Sequence, residues 1–304
     1  MLSSRTLSKL LPLCTLLLSA CSALSFGIAN LPARFAHAER IANVPFGPQR
    51  WQQADVYRPP RAAGPLPVIV FWYGGSWVEG NKEEYRFVGT ALASLGCVVV
   101  LPNYRLYPQV KFPTFLEDGA AAVAWVQSHA AQYGGDAHRI VLMGHSAGAH
   151  MAAMLAIDHA YLRRAGVDTR NIVGLIGLSG PYELAPDTPT LNAIFAAPYT
   201  ARDWQVLPFV SADAPPTLLI QGADDNVVRA SNTQHLAQAL RRARVPVEVK
   251  IYPNRGHGDT VAALAWAVRF RSPTLKDIDA FMHSLKAPPC PRPAGRAACD
   301  APAH

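Results

Sequence analysis

Charge is scarce in this chain. Only 16% of its 304 residues are Asp, Glu, Lys or Arg, while half are hydrophobic. That balance excludes a disordered or fibrous protein and suits a globular one built around a buried sheet. The formal net charge of +7 is spread over single Arg and Lys residues, and the one dense basic stretch, RRARVPVEVK at 241–250, reads as a solvated helix end. Nucleic acid is therefore not an expected partner. Metal-ligand spacings such as CxxC or HExxH are missing, so no metal is expected. No internal repeat is visible. The apolar stretch Leu10–Leu18 is about half of the ~20 residues needed to span a bilayer.

What stands at the N-terminus is MLSSRTLSKLLPLCTLLLSACSAL, with Arg5 and Lys9, the apolar stretch and then small residues, the pattern of a secretory signal over 1–20. Leu18-Ser19-Ala20-Cys21 resembles the lipobox of bacterial lipoproteins. The resemblance implies a lipid-modified Cys21, an exported chain and a membrane anchor facing the periplasm. Cleavage near Ala20 or Ala23, releasing a soluble periplasmic or secreted chain, is the alternative. Residues 21–42 read as a tether and entry segment, 43–286 as one catalytic domain and 287–304 as a Pro/Ala-rich tail. Cys97 lies in the apolar run GCVVVLP and reads as a buried, inert thiol. Cys290 and Cys299 sit in the tail, where an oxidising compartment permits a bridge; their pairing stays open.

From Val44 onward, strand and helix patterns alternate. NVPFGPQRWQQADVYRPP reads as two strands around a turn; LPVIVFWY (66–73) and GCVVVLPNY (96–104) are continuous apolar runs of the kind a sheet covered on both faces requires. A helix from about Phe115 to Gln132, the strand RIVLMG, a further helix to about Ile157, the strands NIVGLIGLSG and PTLLIQG, the helix ASNTQHLAQALRRA, the edge strand VPVEVKIYP and a closing helix from Pro273 to Leu285 follow. The order predicts an α/β fold with a mostly parallel central sheet and helices on both faces. Residues 183–215 break the alternation and are too long for an ordinary loop, so they read as a small cap insertion.

The stretch VLMGHSAGAHMAAM (141–154) asks why a strand should stop at glycine, present one serine and resume as a helix. Gly144-His145-Ser146-Ala147-Gly148 is the G-x-S-x-G pattern, in which glycines admit a sharp strand-to-helix turn and lift the serine Oγ out of the sheet edge. The amide of Ala147 then lies at a helix start, where free N–H groups and the helix dipole favour negative charge. Upstream, FWYGGSW ends another strand with Gly74 and Gly75, whose backbone can approach a ligand closely.

YGGSW, NYRL, GHSAG, a post-strand Asp and a late His, in that order, resemble the α/β-hydrolase superfamily and specifically the carboxylesterases related to hormone-sensitive lipase. VGTALASLGCVVVLPNYRLYPQ and YGGDAHRIVLMGHSAGAHMAAM are similar to isoprenylcysteine methylesterases and kynurenine-formamidase-like hydrolases. The likeness runs from about Val44 to Leu285. Tyr73 departs from it, standing where many relatives carry His. The resemblance implies an α/β-hydrolase fold with Ser146 as nucleophile and the N–H groups of Gly75, Ser76 and Ala147 as oxyanion hole. The pattern HGxxDxxV, present as Gln221-Gly222-Ala223-Asp224-Asp225-Asn226-Val227-Val228, implies Asp225 as the acid and leaves Asp224 to a loop or capping role. Of ten His, most lie ahead of the stretch where this fold places its base; His235 reads as part of a helix behind a Ser231 cap and His283 as surface. His257, in the glycine-flanked YPNRGHGDT, is the expected base.

These residues imply a serine hydrolase that cleaves a small-molecule carboxylic ester through an acyl-enzyme, without a cofactor. The alternatives are an amidase, arylformamidase or small peptidase on the same triad, or a non-catalytic envelope binding protein. The insertion carries Leu191, Ile194, Phe195, Tyr199, Trp204, Val206, Leu207 and Phe209. With Trp77 it is expected to wall a substrate pocket through Phe195 and Trp204, limiting acyl length; simple packing on the sheet is the competing reading. Oligomeric state is left open.

Overall fold

The computed structural model describes residues 26–31, 38–61 and 64–285. The signal segment, Cys21, Cys290 and Cys299 lie outside the described residues. Eight strands form one sheet in the order β1-β2-β4-β3-β5-β6-β7-β8. They are β1 (Glu39–Pro45), β2 (Gln53–Arg58), β3 (Leu66–Trp72), β4 (Val98–Pro102), β5 (Gly135–His145), β6 (Ile172–Leu178), β7 (Thr217–Gly222) and β8 (Val247–Tyr252). The pairs β1/β2 and β2/β4 are antiparallel and the rest are parallel. The first strand starts at Glu39, inside the segment expected to be a tether, because Glu39–Ile41 pair with Val56–Arg58.

Apolar runs became strands wherever both faces could be covered. β4 and β7 are buried at every residue, so helices must lie over both faces. Those helices are α1 (Arg86–Ala93), α2 (Thr114–His129), α3 (Ala147–Ile157), α4 (His159–Arg164), α5 (Pro189–Ile194), α6 (Ala201–Trp204), α7 (Ser231–Arg242), α8 (Asp259–Ala262) and α9 (Thr274–Ser284). All eleven residues of α3 are buried. It packs between the sheet and α2 and α4, which is why its alanine-rich sequence shows no polar stripe. Ala230 occupies the N-cap of α7 without a side-chain bond, so the expected cap at Ser231 is not formed. Cys97 is buried, and burial pushes its thiol up to about 12.

The topology positions the site. The chain runs from β3 outward to β4, then returns to the other side of β3 with β5 and proceeds through β6 to β8. Strand order reverses between β3 and β5. At such a point, loops leave the carboxyl ends of neighbouring strands in opposite directions and open a crevice.

Candidate active site

Ser146 sits at the carboxyl end of β5, at φ 53°, ψ −121°, a left-handed conformation that β-carbon sterics disfavour. Its glycine neighbours make the turn possible. A β-carbon on Gly144 would lie 2.1 Å from the carbonyl oxygen of Gly148, and one on Gly148 would lie 2.1 Å from that of Trp72. The turn brings α3 hard against β3.

His257 Nε2 is 2.8 Å from Ser146 Oγ, and His257 Nδ1 is 2.8 Å from Asp225 Oδ2. The carboxylate accepts, so Nδ1 carries the proton and Nε2 is left to accept from the serine hydroxyl. Asp225 Oδ1 takes backbone N–H bonds from Val227 (2.9 Å) and Val228 (2.8 Å), while Gln221 Nε2 donates to Oδ2 at 2.6 Å. Burial alone would favour the protonated acid, but the bonds from His257, Val228 and Val227 outweigh it and hold the Asp225 carboxyl below its usual range. Asp224 is exposed and gives its backbone N–H to Arg255 O at 2.9 Å. His235 pairs with Glu183, and His283 is exposed on α9. Gln221 escaped the sequence reading as a site residue. The signal for it was its position, where the hydrolase pattern has His.

The loop after β3 closes over Ser146 from the other side. A β-carbon on Gly74 would stand 3.1 Å from Ser146 Cβ. Gly75 has φ +122°, and a side chain there would strike the Glu79 carbonyl at 2.1 Å. The Gly75 carbonyl accepts from the N–H groups of Val78 (2.9 Å) and Glu79 (3.1 Å) and so points into the turn. Across a trans peptide, the Ser76 N–H then points the opposite way. Ser76 and Trp77 both have positive φ, at 52° and 60°. Ala147 N–H opens α3 beside Ser146. The far end of the loop is tied down by a fully buried Lys82, whose Nζ lies 2.9 Å from Asp55 Oδ1 and 2.6 Å from Asn43 Oδ1 and also meets Glu83. Asp55 in turn binds Arg40 at 2.6 Å. Burial opposes the charge on Asp55, yet its bonds to Lys82, Asn43 N–H and Arg40 keep the carboxyl low. No sequence pattern marked this pair, because Asp55 and Lys82 meet only through the sheet.

Trp77, Phe195 and Trp204, expected to wall a pocket, come together as members of one aromatic cluster. Ring centroids are 4.8 Å apart for Trp77–Phe195 and 5.4 Å for Phe195–Trp204, and Phe112 and Phe115 join them. All three are buried. The insertion is bolted to α3: His150, one turn beyond Ser146, donates Nε2–H to the Trp204 carbonyl at 2.6 Å, and Trp204 Nε1–H reaches Leu184 O at 3.2 Å. Burial drives the His150 imidazole down to about 4, so this donor stays neutral.

A mostly parallel sheet, a serine on a strained strand-to-helix turn and a hydrogen-bonded Asp and His in the loops after β7 and β8 define an α/β-hydrolase. Among solved structures, a truncated carbohydrate esterase from gut microbiota superposes with a TM-score of 0.71 at 21% identity, covering 82% of this chain and 96% of the other. An acetyl ester-xyloside bifunctional hydrolase from Caldicellulosiruptor lactoaceticus gives 0.65 at 25% identity, covering 76% and 88%. The BD-FAE family model matches residues 54–240, more than half of the sequence, and the chain belongs to that family. By sequence it is 28% identical over 240 residues to a probable isoprenylcysteine alpha-carbonyl methylesterase of Arabidopsis thaliana, covering 71% of this chain and 50% of the relative. The esterase LipC of Mycobacterium tuberculosis is 28% identical over 247 residues, covering 74% and 60%. The chain thus spans about half to three-fifths of the length of these curated relatives.

Proposed function

We propose that this protein hydrolyses carboxylic esters of short acyl chains through a Ser146–His257–Asp225 triad. The observation that carries the reading is the unbroken chain of two 2.8 Å contacts from Ser146 Oγ through His257 to Asp225, at the crevice where strand order reverses. His257 Nε2 takes the hydroxyl proton as Oγ attacks the ester carbonyl. Asp225 holds the tautomer and stabilises the imidazolium that forms. The N–H groups of Gly75, Ser76 and Ala147 receive the oxyanion, each worth about 3 kcal/mol of transition-state stabilisation. The protonated imidazole then hands its proton to the departing alcohol. Water, deprotonated by His257 in the same way, releases the acid from Ser146.

Esterase names among the relatives support the reaction class, and the acetyl ester in the name of the Caldicellulosiruptor hydrolase supports a small acyl group. A fluorophosphonate probe tests the reading: the wild-type protein is expected to be labelled on Ser146 and Ser146→Ala to remain unlabelled. A folded wild-type chain that resists the probe sinks it.

Lipid attachment at Cys21 is part of the same proposal, carried by the lipobox-like LSAC sequence. Among the described residues, no helix is long and apolar enough to cross a membrane. Several acyl chains on one Cys anchor firmly, since each buried CH₂ adds about 0.8 kcal/mol. Wild-type protein should sediment with membranes and Cys21→Ser should not; equal partitioning of the two would point to simple signal cleavage.

A further inference from the structure

Ser146 stands on β5, but its base arrives from β8 at the sheet edge, three strand intervals away. At about 4.8 Å per interval the loop must carry the imidazole some 14 Å across the ends of β7 and β6. Part of that crossing is backbone. The N–H groups of Ala223 and Asp224 bond to the carbonyls of Tyr252 and Arg255, both at 2.9 Å, over Gly222, where a β-carbon would collide with Arg255 O at 2.2 Å. Those contacts secure the loop only as far as β7. Beyond it, the His257 carbonyl oxygen meets two side chains, Nε2 of His145 at 3.2 Å and Oγ1 of Thr260 at 3.3 Å. Behind Thr260 stands Ser179, at the end of β6, its Oγ 2.9 Å from Thr260 Oγ1 and its N–H bonded to Ile220 O at 2.9 Å. Ser179 and Thr260 are fully buried, and Ser179 has φ 51°, a backbone angle that costs a serine energy to hold.

Proton direction follows from the acceptor. A carbonyl oxygen can only accept, so Thr260 spends its hydroxyl proton on His257 and Ser179 must donate to Thr260. His145 must carry its proton on Nε2, which leaves Nδ1 as a buried lone pair without a hydrogen-bond partner among the described residues, beside Gly74. We infer that His145, Thr260 and Ser179 are positioning residues that clamp the backbone of His257 to β5 and β6, and thereby set the distance from its imidazole to Ser146. The inference rests on the esterase reading above. It explains why a histidine occupies the position before the nucleophile although its ring makes no bond to Ser146. Burial, and next the neighbouring His257, push the His145 imidazole down to about 3. It therefore stays a neutral donor while His257, with ring centroids only 5.0 Å apart, cycles through its charged form.

One strap reaches the oxygen from β5 and the other from Thr260 on α8, itself held by Ser179 at the end of β6, so losing either loosens the base and losing both frees it. A misplacement of 1 Å can cost about 10²-fold in rate. The test compares fluorophosphonate labelling rates, kcat and KM on p-nitrophenyl acetate, and urea midpoints for wild type, His145→Phe, Thr260→Val, Thr260→Ser and the double variant His145→Phe/Thr260→Val. Each of the first two single variants should lose about tenfold in kcat and labelling rate with KM within about twofold, and the double should lose more than the product of the two. Thr260→Ser, which keeps the hydroxyl, should restore near-wild-type rates. His145→Phe removes an unpaired buried nitrogen, so its urea midpoint should hold or rise while kcat falls, a split that a merely structural role does not produce. A folded double variant that labels and turns over as fast as wild type overturns the clamp, as does a Thr260→Ser variant as slow as Thr260→Val. If wild type itself is not labelled, the esterase reading fails and the clamp falls with it.

Discussion

At φ 53° the backbone of Ser146 is held where an L-residue pays about 1–3 kcal/mol, and it persists there because β3, β5 and α3 leave the chain no other path. The strain faces the hydroxyl outward at the helix start; nothing is gained unless a base and an acid stand in register. Their roles can be separated. Ser146→Ala and His257→Ala should each lower kcat on p-nitrophenyl acetate by about 10⁶ and Asp225→Asn by about 10⁴, and the Ser146→Ala/His257→Ala double should be scarcely worse than either single, because the three act as a unit. Asp224→Asn should retain most activity, since the structure gives its exposed carboxylate no part in the chain to Ser146. Turnover surviving in Ser146→Ala would remove the nucleophile assignment.

Among the elements, the 183–215 insertion carries the most testable consequence. Its short helices α5 and α6 bury Phe195 against Trp77, the residue next to an expected oxyanion donor, and Trp204 against Phe195, and His150 on α3 fastens Trp204 through its carbonyl. On the proposed reading of the insertion as the pocket wall, a wall packed on Trp77 and bonded to His150 cannot swing away for a long acyl chain as a mobile lid would. Each methylene that still fits is worth about 0.8 kcal/mol, and those that do not fit meet rings. We expect kcat/KM on a p-nitrophenyl ester series to peak at short acyl chains and collapse at long ones, with Phe195→Ala or Trp204→Ala moving the optimum upward. A profile that climbs steadily to long chains and ignores both substitutions would place the cluster in the core rather than in the pocket.

For the molecule as a whole, the buried histidines set how stability responds to acid. His145 and His150 stay neutral in the folded state down to about 3 and about 4, whereas an unfolded histidine protonates near its ordinary 6.5. Between those values the unfolded chain binds more protons than the folded one. Stability is therefore complete above about pH 6.5 and falls below it, by about 1.4 kcal/mol per pH unit for each histidine. Urea midpoints measured from pH 7 to pH 5 should decline accordingly, and His150→Phe should roughly halve the slope even though it forfeits the bond to Trp204 O. An unchanged slope in that variant would show that His150 is not the group protonating on unfolding. Asp55 and Asp225, both held low, add a further loss of the same sign only at more acid pH.

Local order in the sequence was enough for the alternating strands and helices, the GHSAG turn and the close approach of Gly74 and Gly75. Each of these rests on a periodicity or on a residue type that only one local conformation accepts; the preference for Asp225 over Asp224 rested instead on the resemblance to the hydrolase pattern HGxxDxxV. The start of β1 at Glu39 was not legible, since a weakly patterned edge strand is defined by its partner, residues 53–58. Nor were Gln221 behind Asp225, the Lys82–Asp55 pair or the Ser179–Thr260–His145 contacts to His257. Their members are polar residues scattered from 55 to 260 and look like ordinary surface positions in the chain. They became a site because the parallel sheet sets strand ends side by side regardless of separation in sequence, and a buried polar group must find its partner among whatever the sheet brings there. The residues of the proposed chemistry stand in the chain as motifs; the distances between them were decided by the order of the strands.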